Sequence, residues 1–206
     1  MKRILNYGPV LIAFAALLWG LDGILRRSLF SLPPITIVFY EHLLGAIIIA
    51  PFFSRTWKSE RLNKKEWGAI LLVALLSGVL GTLWFTTALA KVNFIPFSVV
   101  FLLQKLQPIF AIAAAALLLK EKIDSRYLGW ALLALAAAYF VTFKNGVVNF
   151  GDGNGAIIAA LFAVGAAFAW GASTAFSRFA LLGHSHTVIT ALRFFITVPL
   201  AFFVML

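Results

Sequence analysis

The chain contains no cysteine. That removes disulfide frameworks, thiolate metal ligands and thiol nucleophiles, and it leaves the redox compartment unreadable. Charge is also scarce, at 12% of the 206 residues against about 25% in a soluble domain. In its place, 63% of the residues are hydrophobic and the mean hydropathy is +1.00. Burial cannot absorb that excess, because a soluble fold still needs a polar skin. A soluble enzyme, a nucleic-acid-binding domain and a disordered segment are therefore excluded. The net charge of +10 would suggest nucleic acid in a soluble protein. Here the cations sit in short clusters between apolar runs, so no nucleic-acid partner is inferred. The partner these residues imply is the lipid bilayer, with the chain integral to the cell membrane and crossing it many times.

A span needs about 20 mostly apolar residues. Seven such stretches occur, at 8–28, 34–53, 67–89, 95–119, 126–144, 155–178 and 186–206. The joints between them carry Pro, Gly or charge, as in Ser31-Leu32-Pro33-Pro34 and Lys120 to Ser125. Counting Lys and Arg on alternate sides gives eleven on one side (from Lys2 and Arg3 to Arg178) and four on the other (Arg26, Arg27, Lys91 and Lys144). Lys105 and Arg193 lie within spans. The positive-inside rule then places the N-terminus in the cytoplasm.

An offset of 151 residues aligns Ala15-Ala16-Leu17-Leu18-Trp19-Gly20 with Ala166-Ala167-Phe168-Ala169-Trp170-Gly171. It also aligns Arg27 with Arg178, Thr36 with Thr187 and His42 with Arg193. Five spans separate the copies, and an odd number turns the second copy upside down in the membrane. Inverted repeats of this kind are a plan of secondary transporters, which bind substrate near the midplane. The expected architecture is an all-α polytopic membrane helix bundle, with seven transmembrane helices present of ten. The ten form two inverted five-helix repeats: residues 1–144 make the first, 145–154 a linker, and 155–206 the first two helices of the second.

Leu106-Gln107-Pro108-Ile109-Phe110, an Ala-rich run and Leu119-Lys120-Glu121-Lys122-Ile123 together resemble the fourth span of EamA-type members of the drug/metabolite transporter superfamily. The segment around Trp19-Gly20 resembles that family's first span, and Ala166 to Arg178 is similar to the start of its second repeat. The resemblance implies export or exchange of small metabolites by alternating access. One departure is Glu41-His42, where the family often has Arg in its second span; Arg193 supplies the Arg in the second repeat.

Ionisable groups inside spans cost about 2.5–3.5 kcal/mol each on insertion scales, so each needs a reason. Asp22 and Glu41 both sit roughly 10 Å below the outer surface, given a rise of 1.5 Å per residue. They read as a proton- or cation-binding carboxylate pair; Asp22 also reads as an i,i+4 partner of Arg26. His42 reads as a proton relay beside Glu41 or as a hydrogen-bonded core histidine. Lys105 lies near the bilayer centre, next to a face formed by Gln104, Gln107 and Pro108, where the proline frees a carbonyl one turn back. It lines a cavity or neutralises an in-span acid. Arg193 either binds an anionic substrate group or snorkels, and Trp19 and Trp84 either line the cavity or pack. The favoured ligand is a small-molecule substrate, and the sharpest expectation is that Glu41 and Lys105 share one cavity.

Nothing in the chain calls for a cofactor or a metal. His184-Ser185-His186 has metal-ligand residue types but reads as a solvated turn, and Gly151-Asp152-Gly153-Asn154-Gly155 as a flexible linker. An intramembrane enzyme would need a His-Glu-x-x-His or Gly-x-Ser-x-Gly set, and neither occurs. A structural subunit would have little reason to keep Asp22, Glu41 and Lys105 at depth. Secondary transport is the reading these residues favour.

Overall fold

Proline, charge and turn residues cut the apolar sequence into helices where the chain must reverse. In the computed structural model, residues 7–57, 60–91, 96–120, 123–142, 146–147 and 154–206 are described. Glu121, Lys122 and most of the 145–154 linker lie outside that set, as do Lys2, Arg3, Lys58 and Lys144. Two compact units are present, one reaching to Pro33 and the other running from Pro34 to Leu206.

The first unit is one helix, α1 (Gly8–Arg27), with a proline in its first turn where no intrahelical N–H is needed. Its surface is apolar and largely exposed: Val10, Ile12, Leu17 and Ile24 are among the exposed side chains.

Among the described residues, the second unit holds six helices. These are α2 (Pro34–Thr56), α3 (Lys64–Ala90), α4 (Phe97–Leu118), α5 (Ser125–Thr142), α6 (Asn154–Leu181) and α7 (His186–Met205). Together with α1 they coincide with the seven apolar stretches. Among the described residues, six of the seven are long and apolar enough to cross a membrane, and α5, with 18 residues, is not one of the six. Asn63 caps α3: its side chain accepts from the N–H groups of Lys65 and Glu66, while the Glu66 carboxylate accepts from the Asn63 N–H. Lys120, at φ 54°, takes the left-handed conformation that ends α4.

Two helices depart from regular α geometry. In α3, Ala74–Gly81 is π-helical. In α4, the helix stops at Gln104 and restarts at Gln107, with Pro108 in the first turn of the second half. The proline lacks the N–H that would bond the Gln104 carbonyl and its ring crowds that carbonyl, which is the distortion its position in the sequence predicts.

Helix α6 runs through the centre of this unit, packed on α3 and on both halves of α4, while α7 packs along α2 and against the π segment. The central position follows from an alanine stripe: Ala156, Ala159, Ala163, Ala166 and Ala167 recur at helical spacing and are almost wholly buried. Small side chains let neighbouring backbones come close. The large apolar residues of α6, such as Ile157 and Leu161, face outward instead. Contacts of Phe39 with Phe202 and of Gly45 with Phe194 show that α2 and α7 run antiparallel.

Candidate functional site

The π segment sets up a polar seam in the middle of the apolar bundle. A π turn takes backbone carbonyls out of the regular helical ladder, and such turns recur at functional sites. Here the Ser77 carbonyl accepts from the Trp170 indole N–H at 3.1 Å and from the Thr82 hydroxyl at 3.0 Å. The Thr197 hydroxyl donates to the Arg193 carbonyl at 2.7 Å and lies 3.4 Å from the Ala74 carbonyl. The approach is close because Gly78 and Gly81 have no side chain. A methyl at Gly78 would fall 2.1 Å from the Thr197 hydroxyl oxygen, and one at Gly81 would fall 2.6 Å from the Trp170 ring. Thr86 and Thr197 are wholly buried, and His42, Gln104 and Ser173 nearly so.

Arg193 and His42 each lie near the Phe194 ring at the α2–α7 face. The buried His42 has its imidazole Nδ1 2.9 Å from the Val38 carbonyl one turn back, and its ring lies 5.5 Å from that of Phe194. The Arg193 guanidinium carbon sits 4.9 Å from the Phe194 ring centre, a cation–π contact. Its Nε is buried and has no hydrogen-bond partner among the described residues. The Glu41 side chain, one residue before His42 on α2, is at an exposed position.

The α4 break forms the second polar patch. The Gln104 side-chain amide donates to Gln107 Oε1 at 3.2 Å, and Gln104 is 2% exposed. Gly171 of α6 sits directly against this turn: a methyl there would fall 2.6 Å from Phe110 Cβ and 2.7 Å from the Gln107 carbonyl oxygen. Lys105, one position round, caps the first half of α4 and is exposed. Trp84 lies on Gly165 and lines a cavity of about 300 Å³ with Ile158, Leu161 and Phe162. A larger cavity of about 490 Å³ opens between α4, α5 and α6, with Ala111, Ala115, Tyr127, Thr174 and Arg178 in its wall. On α1, Asp22 receives two hydrogen bonds from Arg26 at 3.0 Å, the i,i+4 pair its spacing allows, and Trp19 is 46% exposed.

Sequence reasoning missed two features. One is the π segment with Ser77 and Thr197; its only local signal is a serine and small residues, Ser77-Gly78 and Gly81-Thr82, within an apolar run. The other is His184, expected in a solvated turn. Its side chain is only 9% exposed, enclosed by the carboxylates of Glu60 and Glu66. Among the described residues no group of acids and histidines is arranged to hold a metal ion.

Comparison with known proteins places this arrangement. The EamA-like transporter family matches residues 6–143. The chain belongs to that family. It is 41% identical over 193 residues to the riboflavin transporter ImpX of Fusobacterium nucleatum subsp. nucleatum, a match covering 92% of this chain and 64% of that protein. It is 28% identical over 196 residues to an uncharacterized transporter of Methanothermobacter thermautotrophicus, covering 87% of this chain and 54% of that one. The chain thus spans between about half and two thirds of the length of these relatives. Family and helices together make it an integral, multi-pass membrane protein of a transporter family.

Proposed function

We propose that this protein takes part in secondary transport of a small metabolite, riboflavin or a closely related flavin, by alternating access. The observation that carries the reading is the 41% identity to a riboflavin transporter over nearly the whole chain. The chemistry of the seam is compatible with it. A flavin presents a flat aromatic ring edged with carbonyl and imide groups and a hydroxylated side chain. Aromatic faces, the Gln104 and Gln107 amides and the Arg193 guanidinium supply stacking surface and hydrogen-bond donors for such a molecule. We assign Glu41, His42, Gln104, Lys105, Gln107 and Arg193 to its path, with Trp84 as further lining and Pro108 shaping the α4 break. Glu41 is a group we assign to proton or cation coupling, Asp22 of α1 is a further candidate, and we place the N-terminus on the cytoplasmic side from the Lys and Arg count.

The same proposal divides the chain into a first five-helix repeat at 1–144 and an inverted continuation from 155. The end of the family match at 143 and the antiparallel run of α2 against α7 support that division.

The test is flux of labelled riboflavin into and out of proteoliposomes, which also reads direction. Saturable flux is expected, and Glu41→Gln should abolish its dependence on a proton gradient while leaving membrane insertion intact. Flavin flux no greater than that of empty liposomes would refute the substrate. Full gradient dependence in Glu41→Gln would refute the coupling role.

A further inference from the structure

At the end of the bundle where α2 finishes, α3 starts, α6 finishes and α7 starts, an apolar cluster of Ile70, Ala180, Val188, Ile189 and Leu192 draws the four helix ends together. Trp57, Leu62 and Leu181 pack at its edge. On this cluster the α6–α7 turn meets the α2–α3 loop through three titratable side chains. His184 Nδ1–H donates to Glu60 Oε2 at 2.5 Å, and His184 Nε2 lies 3.2 Å from Glu66 Oε2. Both acids are fixed from behind. Glu60 Oε1 accepts the Ser185 backbone N–H at 3.0 Å, and Glu66 belongs to the Asn63 capping box. The side chains of His184, Glu60 and Glu66 are 9%, 13% and 18% exposed.

A neutral imidazole has one N–H and one lone pair. Set between two carboxylates, it would point that lone pair at an anion. The geometry therefore calls for the imidazolium, which donates to both sides. Deprotonation would remove one of the two bonds and turn it into a repulsion. The other charged groups in the sequence near this end are Arg55, Lys58, Arg61, Lys64 and Lys65 on the α2–α3 side, Arg178 in the last turn of α6 and His186 on α7.

We propose that Glu60, His184 and Glu66 form a proton-operated latch. Doubly protonated, His184 ties the α6–α7 turn to the α2–α3 loop; losing one proton, it lets them part. Resting on the transport reading above, that parting frees α6 and α7 to move against α2 and α3 during the cycle.

The sign follows from the contacts. The Glu60 hydrogen bond raises the His184 pKa above its ordinary value, against an opposing effect of burial. The same bond, with the Ser185 N–H, lowers that of Glu60. The latch is therefore at full strength below the ordinary histidine value of about 6.5 and weakens as pH rises through the raised His184 value. On the acid side it is lost only as Glu60 protonates, below the ordinary glutamate value of about 4.3.

Because the chain has no cysteine, Arg61→Cys with Gly183→Cys gives a unique pair of spin-label sites at exposed positions. Distances between them are measured in lipid nanodiscs from about pH 5.5 to about pH 9, the range across which a histidine of this kind titrates. A single short distance should dominate at the acid end and be lost at the alkaline end. In His184→Gln the distribution should be broad and independent of pH. Glu66→Gln, which keeps Glu60, should shift the release to lower pH. A distribution unchanged by pH, or a transition that survives in His184→Gln, would overturn the latch. Absence of flavin flux would overturn the transport reading alone, since the distances are measured without substrate.

Discussion

Helices α1 and α6 carry the same Ala-rich run ending in Trp-Gly, 151 residues apart, yet the two dipeptides have different surroundings. Trp170 is bonded through its indole N–H to the Ser77 carbonyl and lies 5.2 Å from the Phe85 ring. Gly171 is pressed against the α4 break. On α1, Trp19 is 46% exposed, and a methyl added at Gly20 would meet none of the described residues within 4 Å. One motif is thus a packing notch in α6, while in α1 its glycine has none of the described residues against it. A repeated sequence preserves the type of helix and where it can be approached closely; its partners decide what that closeness does.

The largest effect separating the two sites is expected at Gly171. Its added methyl would face the Gln107 carbonyl at 2.7 Å and the Ala111 nitrogen at 2.9 Å, both backbone atoms that cannot rotate away. Helices α4 and α6 would have to move apart. Overpacking of this kind costs about 1–3 kcal/mol for alanine, and Gly171→Leu should exceed that range. Equilibrium unfolding in mixed detergent micelles measures it. A loss below about 0.5 kcal/mol for Gly171→Ala, the scale of an ordinary surface change, would show that the notch is not tight.

A smaller difference is expected between the tryptophans. Trp170→Phe removes the indole donor, but the Ser77 carbonyl keeps the Thr82 hydroxyl at 3.0 Å. With one of two partners retained, the loss should be near the net worth of a single hydrogen bond, about 1 kcal/mol. Trp19→Phe should cost less in the same unfolding measurement. Equal losses would mean that the ring's bulk governs both sites, and that the bond to Ser77 adds nothing.

Much of this was legible in the chain itself. Apolar runs near 20 residues mark the helices because lipid demands that length. Pro108 marks the α4 break because no proline can donate within a helix. The Asp22–Arg26 pair also follows from spacing alone. The π segment does not, because its Leu-Leu-Ser-Gly sequence is as compatible with a regular helix; the geometry depends on Trp170 and Thr197 from distant helices. Nor does the Glu60–His184 pair, whose members are 124 residues apart and become neighbours only through the fold. Periodicity reports what a helix does to itself, whereas these contacts report what two helices do to each other.

The smallest expected effect is the most direct test of the comparison. Gly20 lies inside α1, where glycine is less favourable than alanine by roughly 0.5–1 kcal/mol because it gives up more backbone freedom. With none of the described residues within 4 Å of the added methyl, Gly20→Ala has no steric penalty to set against that gain. Stability should stay level or rise by up to about 1 kcal/mol in the unfolding assay that registers a loss at Gly171. Opposite signs for one substitution at two copies of one motif would establish that α1 and α6 use the Trp-Gly step differently. A loss at Gly20 matching that at Gly171 would break the comparison, because it would require a backbone packed as closely on α1 as α4 is on α6.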